Sequence, residues 1–343
     1  MSVLNLKRIA AGLSGLALAL ALPVVAHAAV TRGYTGVVNG RKTHLTLTFA
    51  GSSVKGETFP LPARAALLST QDVSGTLIGT SATLVIDGGL LHGVFAGSPR
   101  TQPNAVFRGS WKPIKGKTQS SQPATLTPDA PDQVDWTDAA ILPASPVPMA
   151  RIIASYPVFK LKDKTAAAQI NRLLSAEIRR DQADFEKQRK ASRKALGKND
   201  PAAKFQDEDL ITYQVLTATQ RFVSVRLRES TYFAGQAHPL AGDYTLNYDV
   251  AHHKALRLSD VIGAHGLSNL AAQCLAALKA GGIDVDWTAK GAAATPENYR
   301  DWNLTPYGLM VTFGEYQVGP YVDGMPEVVV PGVTMRAVWI SPA

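Results

Sequence analysis

The sequence predicts an α+β protein: a C-terminal antiparallel sheet with two main helices on one face, preceded by a small all-β meander or barrel-like domain. Three observations lead there. Residues 34–111 are short runs of alternating apolar and polar residues between glycines, the period of a half-buried strand. Residues 112–149 are rich in proline, serine and threonine and carry no helical period, as a linker does. Residues 150–343 alternate strand-like runs with two apolar stripes at helical spacing. The domains expected are a signal peptide over 1–28, a β domain over 29–111, a linker over 112–149 and an α+β domain over 150–343.

The first 28 residues have the parts of a secretory signal. Lys7 and Arg8 make a positive start, Ile9 to Val25 is apolar, and Ala26-His27-Ala28 supplies the small residues of a cleavage site. No cysteine follows for lipid attachment, and no later stretch approaches the roughly twenty apolar residues that a span requires. The expectation is a periplasmic protein with no membrane span after cleavage.

In the β domain, THLTLTF puts Leu45, Leu47 and Phe49 on one face and His44, Thr46 and Thr48 on the other. SGTLIGTSATLVIDGGLLHGVFAG continues the pattern, with Asp87-Gly88-Gly89 as a hairpin turn. So small a core is marginal alone, and the domain is expected to lean on its neighbour. In the linker, Trp136 and Ile141-Leu142 are the residues suited to pin it to a domain face. RIIASYPVF is a strand, and a helix follows from about Lys164 with Ile170, Leu173, Leu174, Ile178 and Phe185 as its stripe. DLITYQVLTAT and RFVSVRLRESTYF are strands, and DYTLNYDV with KALRLSD is a further strand pair. The second helix runs from about Gly266 to Ala280, with Leu267, Leu270, Cys274, Leu275 and Leu278 on one side, and Gly281-Gly282 stops it. GLMVTFGEYQV and EVVVPGVTM are the last strands.

The chain has 343 residues, 45% hydrophobic and 18% charged, a globular composition with room for two domains. Its only cysteine, Cys274, excludes an internal disulfide and sits on an apolar stripe, where a thiol is structural. Net charge is +8, and +6 without Lys7 and Arg8. A mildly basic surface suits anionic envelope polymers, and Lys187 to Lys198, with six positive residues and no negative one, is the place for such a contact. The same run also fits a solvated helix end. An exported protein is not expected to meet nucleic acid. G-x-S-x-G, P-loop, dinucleotide and H-E-x-x-H patterns are absent, and adjacent His252 and His253 point to opposite faces of a strand. No cofactor and no metal site is expected. Asp243, Asp249, Asp260 and Glu315 qualify as paired acids only in the sense that such pairs need not be local.

Two bends carry the better clue. Tyr232 and Phe233 precede Gly235-Gln236-Ala237-His238-Pro239, and Tyr316 and Tyr321 flank Gly319-Pro320. Proline holds His238 extended, and tyrosines on turns offer rigid, amphipathic contact area. The expected binding residues are Tyr232, Gly235, His238, Tyr316, Pro320 and Tyr321, on one docking face if the two bends fold side by side. Core packing is the competing role for each tyrosine, and turning a corner for His238.

STYFAGQAHPLAGDYTLNYDVAHHKALRLSDVI and WNLTPYGLMVTFGEYQVGPYVDGMPEVVVP together resemble the two blocks of the RsiV-like domain of bacterial envelope proteins. ARIIASYPVFK with the first helix resembles the module that precedes it, found also beside the catalytic domain of PdaC-type peptidoglycan deacetylases. The likeness covers roughly Ala150 to Ala343. The glycine-rich first domain resembles the small β domain that often precedes this unit. The resemblance implies an extracytoplasmic, non-catalytic module that binds lysozyme in anti-sigma factors and accompanies the enzyme in deacetylases. The chain lacks the T-F-D-D-G and H-x-x-x-H of a polysaccharide deacetylase, and Gln236 stands where the family commonly has glycine. The first reading is therefore a periplasmic protein that binds a cell-wall glycan or a lysozyme-like hydrolase. The alternatives are an envelope hydrolase using His238 with a carboxylate, and a structural interaction protein docking through an apolar patch of its β domain.

Overall fold

The structure is a computed structural model describing residues 29–114, 120–130, 132–143, 149–197, 200–263 and 265–331. The expected signal peptide, 1–28, lies outside the described residues. Eight antiparallel strands close into a barrel: β1 (Val30–Val38), β2 (Arg41–Ala50), β3 (Ser53–Pro60), β5 (Gln71–Ile78), β6 (Ser81–Ile86), β7 (Gly89–Phe95), β8 (Phe107–Pro113) and β9 (Gln122–Pro128). Between β3 and β5 the short β4 (Ala66–Leu67) leaves the barrel. Leu45, Leu47 and Phe49 point inward and are fully buried with Phe107 and Tyr34, the filling that an eight-stranded barrel accommodates. Gly93 and Gly109 are register partners, and a Cβ on Gly93 would come within 2.6 Å of the Gly109 Cα, so both must be bare for β7 and β8 to approach.

The segment 112–149, read as a linker, contains two strands. β9 pairs with β8 and β1 and closes the barrel, burying Ala124 and Leu126. β10 (Trp136–Ile141) starts the next sheet by pairing with β11 (Ala150–Phe159). Two inward residues between prolines are too short an alternation to stand out in a proline-rich text. Ile141 is buried and Trp136 packs on the same core, whereas Leu142 is exposed.

The region from β10 onward, joined by β4, forms four layers. The six-stranded sheet runs β10-β11-β12-β13-β14-β15, with β12 (Asp207–Ala218), β13 (Phe222–Tyr232), β14 (Leu240–Asp249) and β15 (Lys254–Ala255). α1 (Lys164–Ala195) crosses over between the parallel strands β11 and β12, as a parallel pair requires. Asp163 caps α1 by accepting from the Ala166 N–H at 2.9 Å. Its stripe of Ile170, Leu174 and Ile178 is buried against Ile211, Val223, Val225 and Leu246 of the sheet. The predicted strand KALRLSD is only β15, followed by α2 (Leu258–Ile262), in which the Arg257 N–H donates to Asp260.

The second sheet runs β16-β17-β18-β4, with β16 (Trp302–Thr305), β17 (Gly308–Thr312) and β18 (Glu327–Pro331). α3 (Gly266–Ala280) packs its stripe, including the fully buried Cys274, on Leu304, Val311 and Val328. The protein is α+β with a barrel at its start, as expected, but the C-terminal sheet expected to carry both helices on one face is two stacked sheets with one helix on each outer face. Between them lies a polar seam: the Ser224 hydroxyl donates to Asn247 at 2.7 Å, and Asn303 donates to the Ser224 oxygen at 2.9 Å. Burial pushes the Cys274 thiol up to about 12, which rules it out as a nucleophile at neutral pH. Among the described residues no helix is long and apolar enough to cross a membrane.

The barrel leans on the layered region in two places. β4 pairs with β18, placing Leu67 opposite Val328. Tyr307, in the β16–β17 turn, lies against His44 and Phe59 at 4.8 and 4.9 Å between ring centroids. His44 is buried there, its Nε2 2.8 Å from Asp129 Oδ2.

Candidate functional site

The two bends meet. The first is the β13–β14 loop of the six-stranded sheet, and the second is the connection from β17 to β18 in the other sheet. His238 stacks on Tyr321 with ring centroids 3.8 Å apart, and Tyr316 lies 5.9 Å from Tyr321. His238 Nδ1 is 2.8 Å from the Pro239 carbonyl, so that nitrogen carries the hydrogen and donates. Nε2 is then left to accept from the Tyr316 hydroxyl at 3.1 Å. The Tyr321 hydroxyl donates to the same Pro239 carbonyl at 3.2 Å, and Glu315 accepts from the Ala241 N–H at 3.1 Å.

Each bend is built from behind. Gly235 has φ 95°, a left-handed value that suits glycine, and sits against Leu196 and Ala202 beyond the end of α1. The Ala234 N–H donates to Asp207 at 2.8 Å, and Phe233 stacks on Phe185 of α1 at 5.3 Å. On the other side Gln317 closes a turn by donating its N–H to Gly314 O at 3.0 Å. Its side chain donates to the carbonyls of Gly291 and Asn298 at 2.9 and 3.0 Å. Val318 is fully buried, and its carbonyl accepts from Thr288 at 2.7 Å. Within this fixed turn Tyr316 takes φ 60°, strained for a residue with a Cβ, and is 51% exposed.

Of the expected binding residues, His238, Tyr316 and Tyr321 form one surface. Pro320 stands next to Tyr321 and, at φ −68°, leads into its turn. Gly235 shapes the first bend and faces α1. Tyr232 ends β13 opposite Glu208, half-buried and away from the ring cluster's contacts.

The other candidates have structural partners. Asp243 accepts two hydrogen bonds from Arg228 at 2.8 and 2.9 Å, within a network that adds Arg226 and Glu327. Asp249 accepts from the His252 N–H at 3.1 Å in the β14–β15 turn, and Asp260 pairs with Lys254 at 3.1 Å. His252 and His253 are exposed on that turn. In the basic run, Arg193 donates to Asp207 at 2.7 Å and Arg189 to Glu186 at 3.1 Å, while Lys187, Lys190 and Lys194 are exposed. Lys198 lies outside the described residues. On the barrel, exposed Ile78 and Val94 share a row with Ser81, and exposed Val85 pairs with Leu90. Thr83 and His92 lie between the two rows, hydrogen-bonded at 2.8 Å.

Sequence reasoning missed His44. It stands on the outward face of β2 by alternation, and only its partners from distant segments, Asp129 and Tyr307, reveal it. It also missed Asp209, whose surroundings depend on the packing of α1.

Residues 148–241 match the family model described as Deacetylase PdaC, and residues 264–332 match the model described as Protein of unknown function (DUF3298). The first match spans β11 to the His238 loop, and the second includes the Tyr316–Tyr321 bend, so the cluster joins the two matched regions. Two solved structures are similar. A DUF3298 family protein from Pseudomonas aeruginosa PAO1 has 18% identity, covering 61% of this chain and 94% of that chain, with a TM-score of 0.35. A DUF3298 family member from Bacteroides fragilis NCTC 9343 has 16% identity, covering 60% and 94%, with a TM-score of 0.38. No curated protein matches the chain.

Proposed function

We propose that this is a non-catalytic accessory protein of the bacterial envelope, exported to the periplasm, that holds a cell-wall glycan on the face formed by His238, Tyr316 and Tyr321. The carrying observation is the meeting of the two bends through a ring stack and two hydrogen bonds. Stacked rings on a rigid turn present flat apolar faces to sugar C–H groups, and the tyrosine oxygens at their rims keep lone pairs to accept from sugar hydroxyls. The strained backbone of Tyr316 supports the reading, because such strain collects at ligand contacts. The matches to the PdaC and DUF3298 models support an envelope-associated role, in line with the RsiV-like resemblance.

A binding role fits His238 better than catalysis. Both ring nitrogens are occupied by a carbonyl and a phenol, and neither contact is a carboxylate that would raise its basicity. Retention of the purified chain on isolated peptidoglycan tests the proposal, with lysozyme-coated beads as the parallel arm. Wild type should be retained by the glycan, and His238→Ala and Tyr321→Ala should lose most of that retention. Equal retention of all three would remove the face from the proposal. Retention by lysozyme alone would move the ligand from sugar to protein.

A further inference from the structure

Asp209 is fully buried, and neither carboxylate oxygen has a hydrogen-bond partner. Its neighbour Asp207 is equally buried but satisfied, accepting from Arg193 at 2.7 Å and from the Ala234 N–H at 2.8 Å. Side chains alternate along a strand. On β12, Asp207 reaches Arg193 of α1 and Ile211 packs in the core under α1, so Asp209 between them also faces α1. Glu229 is the register partner of Ile211 and shares that face. The α1 carboxylates Glu177, Asp181 and Asp184 lie close enough to act on Glu229, and Asp181 on Asp209 as well, while Tyr244 of β14 is the register partner of Leu227.

The charge in this pocket is one-sided. Arg180 pairs with Glu177 and lies 3.6 Å from Asp181, but it is 64% exposed and sits on the rim. Further along the helix Arg189 pairs with Glu186 and lies 3.9 Å from Asp207, and Arg193 is committed to Asp207. Burial, reinforced by Asp181, raises the Asp209 carboxyl to about 6. Burial and then Asp181, Asp209, Asp184 and Glu177 raise Glu229 to about 7. An isolated buried carboxylate is among the most costly groups a fold can carry, and it persists where a cation or a proton satisfies it.

We propose that the pocket between α1 and the β12–β13 face binds a divalent cation of calcium type, with Asp209 as the buried ligand and Asp181, Asp184 and Glu229 closing over it. The donors are all carboxylate oxygens, the set that hard cations take with flexible geometry, and no imidazole or thiolate is present to favour zinc or copper. Asp184 is exposed and Glu229 half-buried, which leaves a route from solvent. Among the described residues no three such groups are already gathered as a metal shell, so binding must draw the rim carboxylates inward.

The test is calorimetric titration of the chelator-treated full chain with calcium chloride at pH 7.5, together with thermal melts, for wild type, Asp209→Asn and Glu229→Gln. Wild type should bind saturably with Kd of about 10⁻⁴ to 10⁻³ M and melt at higher temperature with calcium. Asp209→Asn should weaken binding at least tenfold. Without calcium it should melt no lower than wild type, because it loses an uncompensated charge. Wild-type stability without calcium should fall as pH rises from about 4 through about 7. The folded state holds protons on Asp209 and Glu229 that the unfolded chain has already released. Asp209→Asn should flatten that decline. No saturable heat up to about 10 mM calcium, above the range of extracellular modules, would overturn the proposal in favour of protonation alone. Unchanged binding by Asp209→Asn, or a lower calcium-free melting point, would overturn it too.

Discussion

His44 and His238 each lie against two aromatic rings, yet they sit in opposite settings. His44 is buried between Phe59 and Tyr307, at 5.1 and 4.8 Å, and is bound to Asp129. His238 lies at the surface on Tyr321 and Tyr316, bound to a carbonyl and a phenol. The first has a carboxylate and little contact with solvent, so it serves as a joint between the barrel and the layered region. The second has no carboxylate contact and lies beside the exposed Tyr316, which is why the proposed function puts the ligand there. Similar ring chemistry thus serves cohesion in one place and, under the proposed function, recognition in the other, with exposure and the polar partner setting the two apart.

That contrast can be broken in a graded series. The largest effect is expected for Asp129→Ala, which strands the buried His44 ring. It should cost about 3 kcal/mol in urea unfolding and leave glycan binding by the folded chain unchanged. His238→Ala should do the reverse, weakening binding by about 2 kcal/mol, some thirtyfold, with stability within about 0.5 kcal/mol of wild type. Tyr316→Gly should raise stability by about 1 kcal/mol, because glycine accepts the positive φ, while binding falls. Tyr321→Phe keeps the stack and loses the hydrogen bond to Pro239. Its cost should be about 0.5 kcal/mol in either assay. A Tyr316→Gly variant that binds as well as wild type would show that the strain belongs to the turn alone.

Much of the fold was legible where one chain segment carries its own pattern. The alternation of Leu45, Leu47 and Phe49 placed them inside the barrel, and Gly281-Gly282 marked the end of α3. What stayed hidden depends on partners far along the chain. Ser224, Asn247 and Asn303 look like outward residues of strands, and they are interior because a second sheet covers them. The apolar stripe of α1 ends at Phe185, although the helix continues to Ala195. Its last turns pack through Arg193 on Asp207 rather than through apolar side chains. β4 is too short to carry any period. The site was legible in part, because glycine and proline announce bends and the family blocks contain both of them. Nearness in sequence puts Tyr232 beside the cluster, but the register of β13 sets it opposite Glu208 instead.

The histidine ring signals in a two-dimensional NMR titration with soluble peptidoglycan fragments test the central contrast most directly, because both rings report at once. The His238 signals should shift and saturate with the fragments while the His44 signals stay still. Saturable binding that leaves His238 unmoved, or that moves His44 in its place, would contradict the assignment of the ligand face.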